Sequence, residues 1–359
     1  MRVLFLEQQP CIRALKYAVG LRASRPDLRL GFAFQGRTLS EWYGEGDELF
    51  ESWWRLPAEE PARELRRVLD EFKPDLVHSH NLPDALTVLA LEVSDGGVPV
   101  LHDAHDLQSL RRTPHETGFP EPGEALALEK QAVEGSAALL AVSEEMMIEI
   151  RARHRPPQHS HVFPNYALRR DLPDALPVYD RPVDGLPRLV YQGTLSANGG
   201  HYDLRAIFEA IAAQGVALDI FPGRPAPEYR ELARRHPAVR WHETVSPERL
   251  LRELPRFDLG WAGFNTALNR PHLDTALPNK AFEYLACGLP VLTLGHRALT
   301  RLLDEEGVGA SLDGLDDLPS RLTALDLRAL RRRVVAVRHR FTVEANIGRI
   351  AGLYEAVAC

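Results

Sequence analysis

Asn279, Lys280 and Glu283 place an amide, an ammonium and a carboxylate at the start of a short stretch, Leu277 to Pro290, whose punctuation specifies a helix. Pro278 suits a first turn, Phe282 and Leu285 share one face, Gly288 stands where a left-handed C-cap belongs, and Pro290 bars continuation. A helix N-terminus offers free N–H groups and a field favourable to phosphate, so this stretch predicts a place to hold a nucleotide. An ordinary amphipathic helix with exposed polar residues answers to the same spacing. A second constellation lies in the first half of the chain. His78-Ser79-His80 and His102-Asp103-Ala104-His105-Asp106 close two successive apolar runs with four histidines and two aspartates, groups suited to proton transfer and metal ligation. Hydrogen bonding that fixes two loops is the plainer reading of the same residues.

The elements that must position these groups follow an α/β rhythm. Arg2 to Leu6 reads as a buried strand, then a helix from about Ile12 to Arg25 carries Arg13 and Lys16, and Leu28 to Phe34 reads as the next strand. Arg13 and Lys16 lie on a solvated face or anchor an anionic or hydroxyl-rich acceptor. Glu41 to Leu56 is rich in aromatic residues, with Trp42, Tyr43, Phe50, Trp53 and Trp54, which serve a core, a sugar platform or a membrane surface. The pattern strand, helix, strand recurs from Asp75 to Asp106 and again to Val142, where Ser143 caps a helix with Glu144 and Glu145 in its first turn. Polar residues at the strand ends suit a parallel sheet, whose ligands bind beyond the carboxyl ends of its strands. Between Arg169 and Pro187 apolar periodicity fades while Pro173, Pro177, Pro182, Gly185 and Pro187 accumulate, the composition of a linker. A second α/β series then begins: a strand from Arg188 to Gln192, a glycine-bearing loop from Gly193 to Gly200, and a helix from His201 to Ala213. Such a loop lets backbone N–H groups close on a phosphate, or merely connects. The expected fold class is therefore α/β, two doubly wound domains with a cleft between them.

Composition narrows the chemistry. With 359 residues, 45% of them hydrophobic, the chain is long enough for two cores. A net charge of -7 argues against a general nucleic-acid binder. Cys11, Cys287 and Cys359 are scattered and odd in number, so neither a disulfide framework nor a structural zinc site is indicated, and a reducing cytoplasm is expected. The opening apolar run is too short for a signal peptide or a membrane span, and no later run is long enough for a span. No Gly-x-Gly-x-x-Gly follows the first strand and no Asp-x-Asp occurs, which disfavours a dinucleotide fingerprint and metal-assisted diphosphate chemistry.

The string Pro278-Asn279-Lys280-Ala281-Phe282-Glu283-Tyr284-Leu285-Ala286-Cys287-Gly288-Leu289-Pro290-Val291 resembles the donor-nucleotide signature of GT-B fold glycosyltransferases, in the retaining, family 4-like group that includes sucrose synthase and bacterial lipid mannosyltransferases. Pro74 to His80, Val100 to Leu107, Ala141-Val142-Ser143, Pro164-Asn165, Asp258-Leu259-Gly260 and the helix from Phe341 to Ala356 resemble other landmarks of that group in order. The resemblance implies an acceptor-binding Rossmann-like domain over 1–168, a linker over 169–187, a nucleotide-sugar-binding Rossmann-like domain over 188–340, and a helix over 341–359 that crosses back to the first domain. It implies a sugar transferred from a nucleotide-sugar to a hydroxyl acceptor, with retention, without metal and with no cofactor besides the donor. The carbohydrate, lipid-linked or small-molecule acceptor allows contact with a membrane periphery. Glu283 matches the ribose-binding glutamate, Gly193 and Thr194 the diphosphate turn, and the segment around Trp241-His242-Glu243 the nucleobase side. His105 matches the histidine near the transferred sugar, with Asp106 beside it as the second catalytic candidate; Arg13 and His80 are the acceptor-binding candidates.

Two departures stand out. The glutamate usual eight positions before the ribose ligand is replaced by Thr275, and the usual loop Arg and Lys are replaced by Thr194 and Asn198. Lys280, with Arg224 or Arg270, then becomes the expected source of positive charge for a diphosphate. Two other classes remain open at this stage: a metal-dependent hydrolase using His78, His80, His102 and Asp103, and a catalytically inactive binding protein of the same fold.

Overall fold

The computed structural model describes residues 1–112, 121–177, 179 and 185–358. Pro182 of the proline-rich segment and Cys359 lie outside the described residues. Among those described, 1–111, 121–168 and 343–358 form one compact unit, while 112 and 169–342 form a second.

The first unit is built on seven parallel strands: β1 (Arg2–Glu7), β2 (Arg29–Phe34), β3 (Ser52–Arg55), β4 (Leu76–His80), β5 (Val100–Ala104), β6 (Ala138–Ala141) and β7 (His159–Val162). Their order is β3-β2-β1-β4-β5-β6-β7. Strand alternation divides the core into two layers. Val3 and Phe5 pack with Tyr17, Ala18 and Leu21 of the helix Ile12–Ser24, and with Ile350, Leu353 and Tyr354 of the helix Gly348–Ala358. Leu4 and Leu6 point to the opposite face, against Leu65, Val68 and Phe72 of the helix Pro61–Phe72 and Leu86 and Ala90 of the helix Asp84–Ser94. Because β1 pairs with both β2 and β4, the crossovers on its two sides run in opposite directions, and a crevice opens at its carboxyl end.

The second unit repeats the plan with six parallel strands: β8 (Leu189–Gly193), β9 (Leu218–Pro222), β10 (Val239–Trp241), β11 (Leu259–Trp261), β12 (Val291–Leu294) and β13 (Gly309–Leu312), ordered β10-β9-β8-β11-β12-β13. Here the reversal falls between β8 and β11. Tyr284 is fully buried under this reversal, and its hydroxyl bonds the β8 backbone at Gln192 N and Val190 O and the β11 backbone at Trp261 O. The ring presses so closely on Gly260 that a Cβ there would come within 2.4 Å of it.

Both doubly wound sheets predicted from the sequence are present. One open reading is resolved and two local expectations change. The aromatic stretch from Glu41 to Leu56 contains β3, whose Trp53 stacks on Phe32 and whose Trp54 packs against Phe72, so these two tryptophans belong to the core while Trp42 is exposed. The helix expected from His201 starts at Arg205, because Asp203 accepts from Gly199 N and from the Arg205 guanidinium and holds 201–204 in the preceding loop. Pro278 sits one residue before the helix Asn279–Ala286, in extended backbone, while Gly288 adopts the left-handed conformation expected of it.

Candidate functional site

In the second unit the predicted donor residues converge at the sheet reversal. Gly193 ends β8 with φ of 121°, a conformation that favours glycine, and a Cβ at this position would lie 3.7 Å from Lys280 Cε. Its carbonyl accepts from Gly223 N at 2.9 Å, which ties the β8 turn to the β9 turn. Thr194 and Arg224 are exposed on these two turns. Lys280 enters from the first turn of the 279–286 helix and is buried. Its Nζ donates to Tyr191 Oη at 3.0 Å and lies 4.2, 5.0 and 5.7 Å from the ring centres of Tyr191, Phe264 and Tyr202. Burial pulls its pKa down to about 7, with the Glu283 charge opposing the shift in part. Glu283, half-buried one turn further on, is engaged by the Gln192 amide. Asn279 is half-buried at the helix start. On the far side of β9, His242 stacks flat on Phe221 at 4.0 Å, and its Nε2 lies 2.6 Å from Asp219.

Thr275 does not stand in for the missing carboxylate. It is fully buried and donates to the carbonyl of His272, while neighbouring Asp274 takes Arg297 N and ion-pairs with Arg297. Arg270 is bonded to the carbonyl of Gly295. Tyr191, Gln192, Tyr202 and Phe264 were not singled out from the sequence. Tyr191 and Phe264 alternate with strand or loop residues that read simply as core, and nothing in their spacing marks a ring packed on an ammonium.

The first unit gathers the histidine constellation at the ends of β4 and β5. His105 and Asp106 are half-buried beyond β5: His105 N donates to Asn81 Oδ1 at 3.0 Å, and Asp106 is held by Arg111 at 2.9 Å. The imidazole of His105 keeps a buried Nδ1 with no hydrogen-bond partner, and burial lowers its pKa. Arg13 and His80 differ from the expectation of surface groups reaching for an acceptor. Arg13 is buried, with its guanidinium on Asp103 Oδ2 at 2.8 Å, the Phe163 carbonyl at 2.8 Å and Asn165 Oδ1 at 3.0 Å. His80 is fully buried, its ring stacked on His78 at 4.3 Å. The physical reason is that Asp103 sits with no exposure at the sheet centre, and a buried carboxylate needs a cation. Burial acts to raise the Asp103 pKa, but the Arg13 charge and its hydrogen bonds hold it well below the usual carboxylate range.

His78, His80 and Asp103 bring one possible metal-ligand atom each within 4.8 Å of one another. Their chemistry suits a closed site rather than a hydrolytic one. All three are fully buried, Asp103 is already committed to Arg13, and His102 turns away to Thr87 at 2.9 Å.

Residues 13–166 match the family described as glycosyl transferase 4-like domain, and residues 203–342 match the family described as glucosyltransferase 3-like, C-terminal domain. Among solved structures, sucrose-phosphate synthase from Thermosynechococcus elongatus superposes with a TM-score of 0.70 at 14% identity, over 99% of this chain and 98% of that one. HepE of Anabaena in complex with UDP-glucose gives 0.70 at 15% identity, over 100% and 99%. The lipopolysaccharide outer core galactosyltransferase WaaB gives 0.68 at 13% identity, over 99% of each. No curated protein is significantly similar in sequence. Two doubly wound parallel sheets in tandem with these matches define the GT-B architecture. The chain belongs to the GT-B glycosyltransferases, with a glycosyl transferase 4-like first part and a glucosyltransferase 3-like second part. No helix among the described residues is long and apolar enough to cross a membrane.

Proposed function

We propose that the protein transfers a hexose from a nucleotide-sugar to a hydroxyl acceptor, with retention of configuration, without a metal ion and with no cofactor beyond the donor. The observation that carries this reading is the convergence of Gly193, Lys280 and the Gln192–Glu283 pair at the β8–β11 reversal. Lys280 and the β8 and β9 turns, joined by the Gly223 N to Gly193 carbonyl bond, would face a diphosphate leaving group as it gains charge, and the acceptor-only carboxylate of Glu283 suits two ribose hydroxyls. Asn279, Thr194 and Arg224 complete the diphosphate side, and His242 on Phe221 offers a flat face and an edge to the base. In the first unit His105 and Asp106 are the groups assigned to the transferred sugar. Arg13 acts through Asp103 by holding the strand ends, rather than by touching the acceptor. The scattered cysteines suit a cytoplasmic setting, and exposed Trp42 and Tyr43 suit a peripheral contact with the membrane face.

The complex of HepE with UDP-glucose makes uridine donors the first to try. A thermal-shift screen over UDP-, GDP-, ADP-, CDP- and dTDP-sugars tests the reading. A donor at a hundred times its Kd raises stability by about 2.7 kcal/mol through mass action. One nucleotide class should raise the melting temperature and then show acceptor-dependent release of its diphosphate in metal chelator. Failure of all five classes to shift the transition would overturn the assignment.

A further inference from the structure

Lys280 is an unusual cation for a phosphate site. It is buried, its one hydrogen bond among those resolved is to a neutral phenol, and three aromatic rings rather than a carboxylate surround its ammonium. The titratable groups around it are few. Tyr191 faces it from β8 and Tyr202 from the loop after β8; His201 and His272 stand behind those rings, with His201 4.1 Å from Tyr202 and 6.4 Å from His272 between ring centres. From its own helix Glu283 is the only carboxylate that acts on it, and that carboxylate is already engaged by Gln192. A buried amine without an ion-pair partner loses its proton readily, because the charged form alone suffers from the missing water. Cation–π attraction offsets part of that loss and keeps the site poised rather than permanently neutral. Tyr191 adds a mechanical link: its hydroxyl accepts from Lys280 and donates to the Thr194 carbonyl at 2.5 Å, joining the amine to the turn that carries Gly193.

We propose that a nucleoside diphosphate enters this site as the missing counter-ion of Lys280, so that binding draws one proton from solvent onto Nζ, with Tyr191 as the positioning residue that keeps the amine beside the Gly193 turn. This rests on the donor reading above and adds a coupling that the reading does not require. The balance is simple: the lone pair of neutral Nζ takes a proton from water or buffer, and the diphosphate charge holds the resulting ammonium. The free amine titrates near pH 7. Above that pH, affinity for the diphosphate must fall with each unit, because the folded free protein holds fewer protons than the complex. Leaving diphosphate and donor are affected together, so alkaline conditions weaken product binding as well as substrate binding.

The test is titration calorimetry on the full chain, with whichever of UDP, GDP, ADP, CDP and dTDP gives the largest thermal shift. At pH 8.0, in Tris and in HEPES, the difference in apparent heat should report uptake of about 0.9 proton per site. Between pH 7.5 and 8.5 the Kd should rise roughly five- to tenfold, in a range where the terminal phosphate, with its second pKa near 6, is already ionised. Lys280→Met should bind more weakly with no proton uptake, and Lys280→Arg should bind without uptake and without pH dependence, since guanidinium stays charged. Tyr191→Phe should bind, with its pH profile displaced from that of the parent chain. Buffer-independent heats and a flat pH profile in the parent chain would overturn the coupling while leaving the donor reading intact. Absence of binding by all five diphosphates would overturn both.

Discussion

Glu283 and Glu7 show how differently two glutamates of one chain are used. Glu283 is half-buried and engaged by the Gln192 amide, and its carboxylate oxygens suit acceptance from vicinal hydroxyls. Glu283→Ala should weaken nucleotide binding by about ten- to a hundredfold in calorimetry, the equivalent of losing one or two charge-assisted hydrogen bonds of ~1.5 kcal/mol each, with little change in melting temperature. Glu7, by contrast, is buried at the end of β1, where burial raises its pKa to about 8 against the opposing hydrogen bonds from Cys11. An unfolded glutamate releases its proton near 4.5. Between those values the folded chain holds more protons than the unfolded chain, so stability falls as pH rises from about 4.5 to 8. Glu7→Gln keeps the acceptor for Cys11 N and removes the titration. Its urea midpoint should exceed that of the parent by about 1–3 kcal/mol in unfolding free energy at pH 8 and converge with it near pH 5.

At the level of elements, the reversal between β8 and β11 is held open by one close contact. Tyr284 reaches from the 279–286 helix to both strands, and Gly260 is the residue that makes room for its ring. Gly260→Ala should cost about 1–3 kcal/mol, visible as a lower urea midpoint, and should weaken nucleotide binding too, because the same helix carries Lys280 and Glu283. This helix was legible in the sequence: glycine, proline and apolar spacing fix its end and its buried face, and they hold whether or not a ligand is near. The two sheets were legible for the same reason, since buried parallel strands read as apolar runs ending in polar residues. The surroundings of Lys280 were not. Tyr191 precedes it by 89 positions and Phe264 comes from another loop, so their meeting is a product of strand order rather than of local pattern. Arg13 is a related case. Its partner Asp103 is 90 positions away, and a basic residue on a helix carries no local sign that a buried carboxylate awaits it. β3 was missed because its four residues are few and its paired tryptophans answer equally to a core, a sugar platform or a membrane surface.

On the scale of the whole molecule, residues 343–358 stand out, because they complete the first unit although residues 169–342, of the second unit, intervene in the sequence. Val343, Ile347, Ile350, Leu353 and Tyr354 are all buried in the same core as β1, and Tyr354 Oη lies 2.6 Å from His78 Nδ1. A chain ending at Thr342 should leave that apolar layer open, and is expected to show early loss of tryptophan fluorescence in urea and proteolysis confined to the first unit, with the second unit resisting as before. A change of equal size in both units would contradict that picture. During synthesis the same arrangement orders events in time. At about 5–20 residues per second, the ribosome has made the whole second unit before the strands bearing the buried histidines can receive the helix that covers them. For that interval of roughly ten seconds or more, Val3, Phe5 and their neighbours lack part of their permanent cover, so the first unit finishes folding only after the second has been made.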